Sequence, residues 1–129
     1  QNLEILRLRL NKISQLPSWF NQLKNLKALD LANNAFEHIP SVLLDLNNLQ
    51  VVSLANPEKY DEKLHPFGFS ANKIDYLKNI DLLIKLLSLE NMKKVHIEVQ
   101  DDTSKIKIMN ILKERGLDKK IEINIASNY

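Results

Sequence analysis

Three histidines, His38, His65 and His96, are the side chains best suited by type to proton transfer or metal ligation, and they lie far apart in the chain. His65 stands near Tyr60, Asp61 and Glu62. That group offers nitrogen and oxygen ligands to a divalent cation, yet no helical or hairpin spacing brings them to one point. Serine, histidine and aspartate all occur, but nothing in their placement sets up a nucleophile, a base and an orienting carboxylate. Phosphate-cradling loops need glycine, and the 2 glycines, Gly68 and Gly116, stand in neither a Walker nor a dinucleotide-binding context. With 0 cysteines there is no thiol nucleophile, no thiolate metal site and no disulfide. The residue types therefore assign no cofactor, no metal and no catalytic group. What remains is recognition by side chains presented on a regular surface.

A repeat would present them. Leu3, Leu6, Leu8, Asn11, Ile13, Leu16 and Pro17 recur 23 residues later as Leu26, Leu29, Leu31, Asn34, Phe36, Ile39 and Pro40. A third copy opens with Leu49, Val52 and Leu54 and departs at Pro57, where the spacing asks for another asparagine. In Leu6-Arg7-Leu8 and Leu29-Asp30-Leu31 the alternation has period two, so the leucines face one side of a short strand and Arg7 and Asp30 the other. The chain must turn after each strand. A buried Asn11 and Asn34 would satisfy backbone groups that the turn leaves without ladder partners. Ile13, Leu16, Phe20 and Leu23, and likewise Phe36, Ile39, Leu43 and Leu46, return into the same core. No unit buries its apolar side alone, so neighbours are part of the fold.

The spacing L-x-x-L-x-L-x-x-N resembles the leucine-rich-repeat (LRR) family, on Leu3, Leu6, Leu8 and Asn11, then Leu26, Leu29, Leu31 and Asn34, then Leu49, Val52 and Leu54. The short unit, its Leu-Pro or Ile-Pro dipeptide and the following Asn25-Leu26 and Asn48-Leu49 resemble bacterial and Ras-suppressor-type intracellular repeats. The resemblance implies an α/β right-handed solenoid with a parallel sheet on the concave side, serving as a non-catalytic protein-protein interaction module. Some family members carry enzyme domains. The alternative it implies is therefore the recognition or autoinhibitory region of a larger enzyme, such as a bacterial effector ligase or a Roco-type GTPase.

Beyond residue 56 the consensus lapses. Met92, Val95 and Ile97 repeat the strand spacing, and Ile121 with Ile123 repeats its last two positions, which predicts two further strands. A helix is expected over Lys73 to Leu89, with Leu77, Ile80, Ile84 and Leu87 on one face. Asp81 and Lys85 interrupt its apolar run, so it reads as a buried helix and not a membrane span. A second helix has cap candidates in Asp101, Asp102, Thr103 and Ser104, an apolar stripe of Ile106, Met109 and Leu112, and Gly116 as its C′ residue. Residues 1–56 are thus expected to be regular repeats and 57–129 irregular terminal repeats and cap, with true helices replacing the short convex segments. The other possibility is a separate small α/β domain from about residue 72. The stretch Asn56 to Ala71 carries Pro57, Tyr60, His65, Pro66, Phe67 and Phe69, aromatics that either anchor a partner or fold back to cover the gap left in the repeat. Trp19 poses the same choice on the convex side.

Composition agrees with one globular domain: 129 residues, 44% hydrophobic and 26% charged. A net charge of +2 predicts neither nucleic acid nor membrane as partner. The lack of cysteine and of N-x-S/T acceptors leans toward a cytoplasmic location, with a secreted bacterial effector as the alternative. The chain starts at Gln1, just before a repeat's first leucine, with no polar cap. The expectation is a C-terminal fragment of a longer array, or an edge covered by another chain.

If the strands stack in register, the outward rows of the concave face read Arg7, Asp30, Ser53, His96, Glu122, flanked by Ile5, Ala28, Val51, Lys94, Lys120 and by Arg9, Ala32, Ala55, Glu98, Asn124. The middle is small and smooth, which suits a protein surface better than an enclosed small molecule. Partner-binding residues are therefore expected at Arg7, Arg9, Asp30, Val51, Ser53, Lys94, His96 and Glu98. The plainer reading of Arg7 and Asp30 is an ion pair across strands. His38 is expected on the convex surface.

Overall fold

The computed structural model of the chain describes residues 2–59, 61, 63 and 69–126. Strands β1 (Ile5–Arg7), β2 (Ala28–Asp30), β3 (Val51–Ser53), β4 (Lys94–Val99) and β5 (Ile121–Ile125) form one sheet in that order. Every neighbouring pair is parallel. Leu6, Leu29, Val52, Val95 and Ile121 are successive partners across it, so the sequence repeat and the strand register are the same register. Leu29, Val52 and Val95 point inward and are buried. The architecture is an α/β solenoid with the core between the sheet and the returning segments.

The returns change along the chain. β1 to β2 and β2 to β3 use five-residue 3-10 helices, Ser18–Gln22 and Ser41–Asp45. Pro17 and Pro40 precede them with φ −66° and −64° and extended ψ, so the helix begins only after the proline. Each turn buries one large side chain, Phe20 or Leu43. The next two returns are true helices, α1 (Ile80–Leu87) and α2 (Asp102–Glu114).

Both helices differ in detail from the expectation. α1 starts seven residues later than Lys73, after a turn in which Asp75 Oδ1 accepts from the amides of Leu77 and Lys78, 3.1 and 3.2 Å. Its buried residues are Leu83, Leu86 and Leu87, while Ile80 and Ile84 flank that face half-buried. On α2 the buried pair is Ile108 and Leu112; Ile106 is 59% exposed. The four-residue spacing Ile108 to Leu112 sets the face that packs, and Ile106 falls on the opposite side. Asp101 proves to be the N-cap, its Oδ1 accepting from the Ser104 amide at 2.8 Å. Gly116 has φ +70°, and the amides of Leu117 and Gly116 donate to Leu112 O and Lys113 O at 2.9 and 3.1 Å, a Schellman end.

The first unit is packed from one side only. Leu6, Leu8, Ile13 and Leu16 are half-buried and Leu3 is exposed, whereas their counterparts Leu29, Leu31, Phe36, Ile39 and Leu26 are buried. Among the described residues no helix is long and apolar enough to cross a membrane.

Candidate functional site

The concave face depends on how each strand ends, and asparagine governs that. Asn34 is fully buried, and its Nδ2 donates back to Leu8 O (2.8 Å) and to Leu31 O (3.1 Å) of its own unit. Its Oδ1 accepts from the amides of Asn11 and Ile13, both at 3.0 Å. One side chain thus ties two consecutive units together. Asn11, expected to do the same, is exposed, and its Nδ2 donates to Arg9 O at 3.1 Å. The ladder reaches backward by one unit, and no described unit precedes the first.

The missing third asparagine is present, displaced along the chain. Asn72 Nδ2 donates to Leu31 O (2.9 Å) and Leu54 O (3.0 Å), and its Oδ1 accepts from the Phe36 amide at 3.1 Å. Shifted back by 23 residues, those partners are Leu8 O, Leu31 O and the Ile13 amide, the contacts of Asn34. The backbone bond from Ala35 to Ile13 O recurs as Lys73 to Phe36 O, 2.8 Å in both cases. Pro57 to Ala71 is therefore a 15-residue insertion within the third repeat. The signal was available in the sequence: Asn72-Lys73-Ile74 with Leu77 copies Asn11-Lys12-Ile13 with Leu16 and Asn34-Ala35-Phe36 with Ile39. Asn91-Met92 likewise copies Asn48-Leu49, and Asn48 and Asn91 each donate to the preceding unit, Lys24 O and Asn47 O, at 2.8 Å.

The two ends of the insertion are fastened beside the concave face. Asn33 Nδ2 donates to Glu58 O and Ser70 O, 3.0 and 3.2 Å, and Asn33 Oδ1 accepts from the Glu58 amide at 2.9 Å. The Asn56 carboxamide bridges Asn72 and Glu98, donating to Asn72 O at 2.9 Å and to Glu98 Oε2 at 3.1 Å. Tyr60, Glu62, His65, Pro66 and Phe67 lie outside the described residues, and with them the suggested His65 cation group and the aromatic part of the insertion.

These ends divide the concave rows. Arg9 bonds Asp30 at 3.0 Å and Glu58 at 3.3 Å; Lys59 bonds Glu98 at 3.4 Å. The cross-strand partner of Asp30 is thus Arg9, and Arg7 is in no ion pair among the described residues. Ala32 and Ala55 are fully buried, and the Glu98 side chain is 7% exposed. Ala32, Ala55 and Glu98 are accordingly enclosed, contrary to the sequence expectation of an open face, with Glu58 and Lys59 drawn onto this row, while Arg9 stays exposed at its end. Lys120 also leaves the face, its Nζ donating to Leu87 O at 3.3 Å at the end of α1.

The open part is compact. Arg7, Asp30, Ser53, His96 and Glu122 are consecutive partners across the five strands, and Ile5, Ala28, Val51 and Lys94 are consecutive partners beside them. His96 Nε2 is 3.2 Å from Glu122 Oε2 but out of hydrogen-bond alignment, so the contact is one of charge when the imidazole is protonated. Behind the enclosed row, burial and the Glu98 carboxylate push the Tyr76 phenol well above its ordinary range. The Ser104 hydrogen bonds hold the Asp101 carboxyl below its usual range. His38 is exposed on the convex side, on a cleft of about 790 Å³ that Ser18, Val42 and Asp45 also line. Trp19 is 57% exposed there.

Residues 1–56 match the family model described as leucine rich repeat. No curated protein matches the chain.

Proposed function

From a chain whose residues 1–56 belong to the leucine-rich-repeat family, we propose a protein-protein interaction module that binds its partner on the concave strands. The observation that supports this reading is the unbroken row Arg7, Asp30, Ser53, His96, in register on four parallel strands. Side chains on a rigid sheet are already ordered and lose little entropy on binding. Arg7, Val51, Ser53, Lys94 and His96 form the contact surface in this reading. Asp30 lies within the row but is paired with Arg9, and Arg9 and Glu98, each engaged within the chain, shape the surface from the side.

Five strands about 4.8 Å apart span roughly 20 Å, and a standard interface takes about 800 Å² from each partner. The footprint therefore extends past the strands, onto the insertion ends Glu58 and Lys59 on one side and the Lys93 and Lys94 margin on the other. The test compares proteins captured by the wild-type chain with those captured by Ser53→Arg and His96→Glu. The expected result is a set lost with both variants at unchanged melting temperature. Capture that survives both substitutions, and fails instead on Tyr60→Ala or Phe67→Ala, would move recognition to the insertion.

A further inference from the structure

The open concave strip is unevenly charged. Its two acids each have a basic neighbour: Asp30 has Arg9 at 3.0 Å, and Glu122 has His96 at 3.2 Å, a counter-charge when the imidazole is protonated; Glu98, on the enclosed row, is held by Lys59 at 3.4 Å. Two of its cations, Arg7 and Lys94, are exposed and in no ion pair among the described residues. Between them lies an apolar row. Ile5, Ala28 and Val51 are direct partners across β1, β2 and β3, and Lys94 is the next partner on β4. Ile5 is 53% and Val51 43% exposed, high values for aliphatic residues on a sheet. An apolar row that ends in an unpaired ammonium, with an unpaired guanidinium beside its first member, is complementary to apolar side chains carried next to carboxylates.

We propose that this strip takes an extended, acidic and apolar segment of a partner protein, laid across the strands. Its apolar side chains rest on Ile5, Ala28 and Val51, one carboxylate meets Lys94 and another meets Arg7. The proposal rests on the concave-face reading above and adds the chemistry of the partner. Its length follows from geometry. Three strand intervals of about 4.8 Å make roughly 14 Å, which an extended chain rising about 3.3 Å per residue covers with about five residues. Neutralising both cations makes the encounter salt-sensitive, since exposed charges are screened within about 10 Å at 0.1 M salt.

The probe is a display library of random 12-residue peptides selected on the wild-type chain. A selected peptide is then measured by fluorescence anisotropy. Selection is expected to enrich peptides that place two or more carboxylates around large apolar residues. Affinity should fall about tenfold or more in Arg7→Glu/Lys94→Glu and also fall on raising salt from about 50 to 300 mM. Both substituted residues are exposed, and a melting curve identical to wild type shows the fold is kept. Enrichment of neutral or basic peptides that are lost on Ser53→Arg would overturn the acidic partner while leaving the concave reading in place. Peptides indifferent to Ser53→Arg and to the double variant, or no enrichment at all, would overturn both. A dimer in sedimentation that Arg7→Glu/Lys94→Glu dissolves would assign the strip to a second copy of this chain and overturn the proposal as well.

Discussion

Between β1 and β3 the chain returns through two five-residue 3-10 helices, whereas between β3 and β5 it returns through α-helices of eight and thirteen residues. The strands do not register the change: Leu6, Leu29, Val52, Val95 and Ile121 remain partners throughout. Nor does the turn after the strand, since Asn34 and Asn72 make corresponding bonds despite the 15 inserted residues between Asn56 and Asn72. The contrast separates what this architecture constrains from what it leaves free. Hydrogen bonds between units must be satisfied wherever they are buried. The convex return need only deliver apolar volume to the core, and Phe20 with Leu23 or Leu83 with Leu86 and Leu87 both do so.

The largest effects should come from that shared core. Leu43→Ala in a 3-10 return and Leu86→Ala in α1 each remove a fully buried side chain, at an expected cost of about 2–5 kcal/mol. Urea unfolding followed by far-UV circular dichroism should show one transition in both variants. Two transitions, or a loss confined to one variant, would break the claim that the two regions share a core.

Next come the asparagines. Asn34→Ala takes the side-chain partner from Leu8 O and from the Asn11 and Ile13 amides, and Asn72→Ala takes it from Leu54 O and the Phe36 amide, while Leu31 O, which accepts from both asparagines, keeps one donor in either variant; each should cost about 1–3 kcal/mol. Equal midpoint shifts sharpen the equivalence. A silent Asn72→Ala would show that the insertion ends hold the turn by themselves.

A gain is expected at Leu10. It occupies the left-handed region, φ 63°, as does Asn33 one unit later, φ 51°. Leucine is strained there and asparagine much less so, so Leu10→Asn should stabilise by about 1 kcal/mol. Thermal denaturation reads this directly, and a lower midpoint would show that half-exposed Leu10 packs usefully.

Asn11→Ala should be the near-silent member of the series, within about 0.5 kcal/mol, because its side chain is exposed and bonds Arg9 O within its own unit. A cost matching that of Asn34→Ala would mean that the end unit is held as firmly as the interior.

The smallest effect is local and pH-dependent. Asp101 has its pKa lowered in the folded state by accepting from Ser104. Its contribution is thus present above the unfolded pKa and lost as the pH falls below about 4 toward the folded value. Amide exchange in the first turn of α2 should rise there in wild type. In Asp101→Ser the dependence should be flat, and an unchanged acid profile would remove Asp101 as its source.

The strand set and its register were legible because the core pattern has period two within strands and a fixed period between them, and burial enforces both. Gly116 was legible because a left-handed C′ position selects glycine. The buried faces of α1 and α2 were not, because both segments carry more apolar residues than one face holds. Ile106 and Ile108 are chemically alike, and only packing against β4 and β5 distinguishes them. Asn72 was legible in principle from its N-x-I-x-x-L context, displaced by 15 residues from the position the repeat sets.

The sequence by itself therefore determined the repeat, the parallel sheet and the order of the outward rows, since these follow from local alternation and a constant spacing. Tertiary structure decided which of those rows stay open. Glu98 and Arg9 lie on concave rows by alternation alone, yet they are engaged by Asn56, just ahead of the insertion, and by Glu58 and Lys59 within it, and no local pattern encodes where the insertion lands. Long-range ion pairs and side-chain to backbone bonds set that landing point. They leave Ile5, Val51, Lys94 and Arg7 to face outward.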